Sequence, residues 1–395
     1  MNNILYLPLG ELIRIKKGKK PLKISDRIYS NKHLPYLLID SMEGQNKLFT
    51  DDSSCPLAKE EDTLLVWDGA RSGFSSTGHC GYVGSTLALI SNKSEIIDSR
   101  YLFYFIESKK NEIHYSSEGT GIPHVSRRFL ENLQIPIPPL PEQKKISDTL
   151  SGIDNLIKSK QKKIYKLDQI RSSLTSTIDR FTKANKNGGL DIIKQSIPSD
   201  WRLVRFSDLL RIKMNGLYLA DNEFYSPVIV RRRHLGVETR ETKKSKEILV
   251  KKQFHACKGC FLISKRQVIH GSTGIVPEKL GRNPIISKEY LQLEPKNKDV
   301  LDIEFLNFYS RTALFHETIR MSVYGVDIEK YVFKENTWFN KFMLLPPIEE
   351  QIKISNSFIS LEKTIFYLTI ELNKFLNLKQ AISSEVLSDQ SRVKI

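Results

Sequence analysis

The chain has 395 residues, 61 Lys and Arg against 45 Asp and Glu, and a formal net charge of +16. That length predicts at least two domains, and 40% hydrophobic residues with 19 Phe and 15 Tyr exclude global disorder. The basic surplus points to a polyanion, nucleic acid first, the alternative being a merely basic protein; four cysteines are too few for a disulfide framework and fit a reducing cytoplasm.

The N-terminal sequence MNNILYLPLGELIRIKKG carries no signal-type apolar run, and no stretch of the chain is apolar enough to span a bilayer, so a soluble cytoplasmic protein without a membrane partner is expected. Residues 1–134 read as a first globular unit. Short β-type runs at Thr63–Trp67 and Tyr82–Ile90 alternate with turns at Asp68-Gly69 and Arg71-Ser72-Gly73, and Tyr101–Ile106 reads as a buried helix. The mixture predicts an α+β fold with a curved sheet. Three places suit DNA. Lys16, Lys17, Lys19 and Lys20 form a basic turn fit for phosphate, or else a solvated charged loop. Arg71, with Ser72, sits between glycines that let the backbone come close; it is a guanine-contact candidate or an ordinary turn arginine. Arg127 and Arg128 follow Pro123-His124 as a weaker candidate.

Residues 135–184 begin with Pro136, Pro138, Pro139 and Pro141, which end the first unit and start a long helix. Ile146, Leu150, Ile153, Ile157, Ile164, Leu167, Leu174 and Ile178 follow in steps of three, four and seven, a narrow heptad seam that predicts helix–helix packing to about Lys183. Residues 185–197, opening with Asn185–Gly189 (NKNGG), read as a linker. Residues 198–342 repeat the first unit loosely. Phe206–Ile212 echoes Leu9–Ile15, Gly259–Ile263 echoes Asp62–Val66, and Asp302–Phe315 echoes the helix at 101–106. Arg231, Arg232, Arg233 and His234 follow the β-type run Val228–Val230; three arginines at a strand end favour a DNA role over a fold requirement. Lys265 and Arg266 repeat that pattern more weakly. Cys257 and Cys260 make a lone CxxC with no partner pair, better read as small residues before a strand than as a zinc or redox site.

Residues 343–395 return to the helical pattern. Pro138-Pro139 answers to Pro346-Pro347, Glu142-Gln143 to Glu350-Gln351 and Ile146-Ser147 to Ile354-Ser355, all at an offset of 208. The second seam, Ile354, Phe358, Leu361, Ile365, Leu368, Leu372, Phe375, Ile382 and Val386, keeps the offset, and Arg171 and Lys379 interrupt both seams at one position. This is an internal repeat. A helix of about 40 residues spans about 60 Å, so burial of one seam on the other predicts two heads held apart by an antiparallel helical pair, over roughly 18 base pairs of duplex.

Catalytic machinery is missing from the reading. There is no GxxxxGK[ST] loop, no Gly-rich nucleotide turn, no Asn/Asp-Pro-Pro-aromatic tetrapeptide and no metal-ligand spacing among eight His, and Asp68 and Asp221 have no evident nuclease partner.

The paired segments Pro138-Pro139-Leu140-Pro141-Glu142-Gln143 and Pro346-Pro347-Ile348-Glu349-Glu350-Gln351, each closing a diverged unit and opening a long helix, resemble the specificity subunits of type I restriction-modification systems. The resemblance covers essentially the whole chain, with Gly121-Ile122-Pro123 and Gly325-Val326-Asp327 matching the stretch before each proline cluster. It implies two target-recognition domains in pseudo-twofold repeat, each reading half of a bipartite site in double-stranded DNA, with the helices fixing the spacer. It also implies a chain that is not itself an enzyme and has no cofactor. Two adenine methyltransferase subunits would use S-adenosylmethionine, and two motor-nuclease restriction subunits would use ATP and Mg. The alternatives are a silent copy that docks methyltransferase subunits without reading DNA, and a single-chain DNA-modifying enzyme.

Overall fold

The structure, a computed structural model, describes residues 5–45, 48–116, 123–184, 189–325 and 331–387. Two compact units emerge: Met1–Lys162 with Thr369–Ile395, and Lys163–Leu368. Each holds an α+β head and parts of two 40-residue helices, Leu140–Asp179 and Ile348–Leu387.

In the first unit an antiparallel sheet runs in the order Ile13–Lys17, Leu87–Asn92, Thr63–Val66, Ser75–Thr77. A second sheet runs Phe49–Thr50, Leu34–Leu37, Gly81–Val83, Leu57–Ala58, with the central pair parallel. Side chains alternate across a strand, so Leu64 and Val66 enter one core with Leu37, Val83 and Leu87, while Leu65 enters another with Tyr101 and Phe105 of the helix Ser99–Ser108. A strand buried on both faces reads as a continuous apolar run, which is how Thr63–Trp67 looks in sequence. The run Tyr82–Ile90 divides instead into two strands belonging to different sheets. The break falls at Gly84, where a Cβ would stand 2.7 Å from the Leu37 carbonyl oxygen.

The second unit repeats this topology. Its first sheet is ordered Leu210–Ile212, Tyr290–Pro295, Phe261–Ser264, Thr273–Ile275. Its second has the same central parallel pair, Phe224–Val230 with Pro284–Ile286, flanked by Val237–Thr239 and Lys252–His255, plus an added edge strand Gly216–Tyr218. The echo of the first head's helix is two helices, Ile303–Tyr309 and Ala313–Arg320. Divergence between the heads has changed sequence and edges but not strand order.

The repeated Pro-Pro/Glu-Gln/Ile-Ser motif has a structural cause. In the first unit Gln143 is fully buried; its Oε1 accepts from the Asp98 backbone N–H (2.8 Å) and its Nε2 donates to the carbonyls of Ile96 (2.9 Å) and Pro138 (2.8 Å). Ser147, one helical turn on, donates to Asp98 Oδ1 (3.3 Å), and Asp98 caps the helix Ser99–Ser108 by accepting from Arg100 N and Tyr101 N. The second unit reproduces every bond. Gln351 takes the Asp302 N–H (3.0 Å) and donates to Val300 and Pro346, Ser355 donates to Asp302 Oδ2 (2.7 Å), and Asp302 caps Ile303–Tyr309. The motif is a latch that fixes each long helix to the first helix of its head.

The predicted seams are the inward faces. Ile146, Leu150, Ile153, Ile157, Ile178, Phe358 and Leu368 are buried, and Leu167, Ile354, Leu361, Ile365 and Leu372 half-buried. Their ends do more than pair helix with helix: Ile146 and Leu150 join the first head's core with Ile382, Val386 and Leu387, and Ile178 and Phe358 join the second head's. Pairs such as Asp154 with Lys379 (2.7 Å) and Lys160 with Glu371 (2.6 Å) run in opposite chain directions, so within the first unit the helical stretches are antiparallel. The shared interruption is ionic. Lys379 bridges Glu107 (2.8 Å) and Asp154, whose Oδ2 also accepts from the Tyr104 hydroxyl (3.0 Å); Arg171 meets Glu362 (3.2 Å), which also faces Arg311 (3.9 Å). Helix one ends at Asp179, short of Lys183, because Thr182–Ala184 turns into a hairpin with Leu190–Ile192. The linker residues Asn185–Gly188 lie outside the described residues, as do Gly121, Ile122, Val326 and Asp327.

Candidate nucleic-acid interface

The first head brings three predicted segments together. Lys17, at the end of its strand, forms an ion pair with Asp68 and lies 5.7 Å from the Trp67 ring centroid. His124 Nδ1 reaches the other Asp68 oxygen at 2.6 Å, and the Gly69 N–H donates to the Pro123 carbonyl at 2.9 Å. The basic turn, the glycine turn and the segment leading to Arg127 and Arg128 therefore meet around one carboxylate. Burial pushes the Lys17 ammonium below its ordinary range, although Asp68 opposes it. Burial would lift the Asp68 carboxyl, but hydrogen bonds from Lys17 and His124 overcome that and hold it low. The sequence left Asp68 without a partner; the fold supplies two.

Arg71 lies exposed in the glycine turn, ion-paired with Glu43 and 4.9 Å over the Phe74 ring. Gly69 (φ 97°) and Gly73 (φ 84°) need the left-handed region, and at Gly73 a Cβ would come 2.8 Å from the Lys110 carbonyl. Ser72 is a correction. It is 1% exposed and its hydroxyl is bonded to His114 Nδ1 at 2.9 Å, so it fastens the turn to the helix Lys110–Tyr115 from inside the head. Lys16, Lys19 and Lys20 are exposed. Arg127 opens the helix Arg127–Asn132, capped by Ser126, and pairs with Glu131 (2.8 Å); Arg128 beside it is exposed.

In the second head Arg231, Arg232 and Arg233 stand exposed just past the strand Phe224–Val230, as the sequence suggests. Arg233 (φ 57°) and His234 (φ 55°) occupy left-handed backbone, which a non-glycine residue adopts only when its surroundings hold it there. The holding contacts are visible. Arg231 pairs with Glu238, Arg232 Nε donates to Gln267 Oε1 (2.6 Å), and the His234 N–H donates to the Gly271 carbonyl (2.9 Å). His234 is half-buried, its ring bonded to Thr273 Oγ1 (3.0 Å) and His316 Nε2 (3.1 Å). Burial, with Arg311 and His316 nearby, brings its pKa down to about 3, so the ring is held neutral. Arg232, Arg233, His234, His270, Gly271 and His316 border a cavity of about 530 Å³ there. Lys265 pairs with Glu335 (3.0 Å) and Arg266 with Glu289 (2.8 Å), next to Gln267 and so on the same side of the head.

Lys17, Arg71, Arg127, Arg231, Lys265 and Arg266 are thus each held by a carboxylate at the surface. Exposed pairs contribute about 0–1 kcal/mol, little enough for a phosphate or a base edge to replace the carboxylate. The pairs orient the guanidinium forks before a ligand arrives. Cys260 is buried, its thiol raised to about 11 by burial, and no metal-ligand group of His, Cys, Asp or Glu occurs among the described residues. No described helix is long and apolar enough to cross a membrane.

Comparison with known proteins agrees with this geometry. Residues 5–169 match the type I restriction modification DNA specificity domain family. Over 221 residues the chain is 34% identical to the type I restriction enzyme MjaVIII specificity subunit of Methanocaldococcus jannaschii, covering 55% of this chain and 51% of that one. Against the EcoBI specificity subunit of Escherichia coli it is 23% identical over 317 residues, 74% of this chain and 65% of that one. The chain therefore spans about half the length of the first relative and about two thirds of the second. The crystal structure of the type I restriction-modification S subunit from M. genitalium shares the fold, with a TM-score of 0.63 at 15% identity over 99% of this chain and 98% of that one.

Proposed function

We propose that this chain, whose residues 5–169 belong to the type I restriction modification DNA specificity domain family and whose fold is that of an S subunit, reads a bipartite double-stranded DNA site for a type I restriction-modification complex. The observation that carries the reading is the duplicated latch. Two heads of equal strand order, each fixed to a long helix by the same Gln, Ser and Asp, suit a reader that examines two half-sites. The first head would use Arg71, Lys16, Lys17, Lys19, Lys20, Arg127 and Arg128, and the second Arg231, Arg232, Arg233, Lys265 and Arg266. Arginine forks would read base edges while lysines neutralise phosphates, and the helical regions would set the spacer between half-sites.

The chain itself would be non-catalytic and cofactor-free. Two methyltransferase subunits would bring S-adenosylmethionine and modify adenine; two restriction subunits would bring ATP and Mg, all in the cytoplasm. Selection of duplexes from a random pool by the chain co-purified with its methyltransferase subunit tests the reading. The expected outcome is one split sequence, with Arg71→Ala relaxing one half and Arg231→Ala the other. Enrichment of no sequence by the intact complex would overturn it.

A further inference from the structure

Each unit exposes one aliphatic side chain almost completely: Leu22 is 93% exposed and Leu249 96%. Both stand in lysine runs. Leu22 belongs to residues 16–23, KKGKKPLK, with five lysines in eight, and Leu249 to residues 243–252, KKSKEILVKK, with five in ten. Lys19, Lys20 and Lys23 around Leu22, and Lys246 and Lys252 near Leu249, make no ion pair within 4 Å with any described residue. Arg71, Arg127, Arg231 and Arg266 each hold a carboxylate within 4 Å, whereas these lysines hold none.

Neither tip is loosely tethered. The Leu22 N–H donates to Asp52 Oδ2 (2.8 Å) and the Lys23 carbonyl accepts from Thr50 Oγ1 (2.7 Å). The Ile248 N–H donates to the Ser245 carbonyl (3.1 Å), and the Val250 carbonyl accepts from Gln253 Nε2 (2.8 Å). The backbone is pinned on both sides of a side chain that buries nothing. The two tips also occupy matching corners. Leu22 joins the loop after the first sheet's leading strand to the turn before Leu57–Ala58. Leu249 lies just before Lys252–His255, the matching strand, where the Leu219 N–H donates to the Lys251 carbonyl (3.0 Å). The two segments are different connections of the repeat, yet each brings lysines and one exposed leucine to this corner.

We infer that Leu22 and Leu249 are apolar wedges that each head presses against a base step of duplex DNA while the surrounding lysines hold the flanking phosphates. The chemistry selects this ligand. A protein-binding centre is depleted of charge, whereas these leucines are ringed by it. Duplex DNA offers closely spaced anions beside stacked apolar faces, which leucine-type wedges unstack. The inference rests on the DNA-reading function proposed above and adds a mode of contact to it.

The test uses the full chain co-purified with its methyltransferase subunit and a duplex bearing the selected site, with 2-aminopurine placed at successive steps. Wild type raises fluorescence at one step in each half-site. Leu22→Ser removes the rise in one half and Leu249→Ser in the other, each weakening binding about tenfold, the scale of losing one buried leucine. Because both side chains lie in solvent, melting stays as in wild type. Lys19→Gln, Lys20→Gln and Lys23→Gln together reduce the slope of log K against log salt by about three, which the leucine variants leave alone. Leucine variants with unchanged affinity and fluorescence overturn the wedge while leaving the function standing. So does loss of the methyltransferase subunit with DNA binding intact, which would make the corner a protein-docking surface. A wild type that selects no site removes the functional reading itself, and the wedge with it.

Discussion

Replacing Gln143 by Met tests the latch. Methionine has nearly the volume of glutamine, so packing is kept while one buried group, the Pro138 carbonyl, and two part-buried ones, the Asp98 N–H and the Ile96 carbonyl, lose their partner. An orphaned buried donor or acceptor costs about 1–3 kcal/mol, and with two of the three groups part-buried the sum here is about 3 kcal/mol. For a unit of this size each kcal/mol moves the midpoint by about 2–4 °C, so the first unit should melt roughly 10 °C lower. Gln351→Met should do the same to the second unit, where the three bonds recur. Calorimetry of the full chain, with amide exchange followed at Asp98 and Asp302, assigns each loss to its unit. A midpoint within about 2 °C of wild type would refute the latch. Equal acceleration of both amides by Gln143→Met would refute its independence in each unit.

The ionic interruption makes a second prediction. Lys379 sits between Glu107 and Asp154 with its side chain 17% exposed, so Lys379→Met strands two carboxylates and should destabilise the first unit by about 3–5 kcal/mol. Burial already raises the Glu107 carboxyl against the pull of Lys379, and without that cation it rises further. A carboxyl raised in the fold binds a proton there before it does unfolded, so stability falls as pH climbs through the raised value. The variant should recover part of its loss near pH 5 relative to pH 8 in denaturant titrations. Histidine supplies the opposite sign. His234 and His316 are held neutral by burial, His234 down to about 3. Below the unfolded value near 6.5 the unfolded chain takes up protons that the fold refuses, and the second unit should weaken progressively there; His234→Gln should flatten that limb. Ser72→Ala should lower the stability of the first head by about 1 kcal/mol through its lost bond to His114 and leave DNA affinity unchanged, read by melting and binding together.

The seams were legible because heptad spacing is a one-dimensional signal, and the repeat because its offset never slips. The α+β class followed from short apolar runs between turns. The latch was half legible: Gln143 and Ser147 stand out as repeated letters, but Asp98 lies 45 residues upstream of Gln143 with no periodicity joining them. Asp68 and His124 are 56 residues apart and meet only because a turn and a helix approach close on the same strand end. Ser72 misled for a physical reason. Residue type and turn context name a polar group, but not which way it points, and the Ser72 side chain turns inward to a histidine on a neighbouring helix. Gly84 broke a run that composition alone reads as continuous.

The most direct test of the central claim is a methylation map. The chain would be expressed with its cognate methyltransferase subunit in an unmethylated host, and N6-methyladenine located across the genome. One split motif with an adenine marked in each half is expected, absent without this chain, with Arg71→Ala and Arg231→Ala each relaxing a different half. A normally assembled complex that leaves no motif would contradict it and favour a scaffold that docks partners without reading DNA.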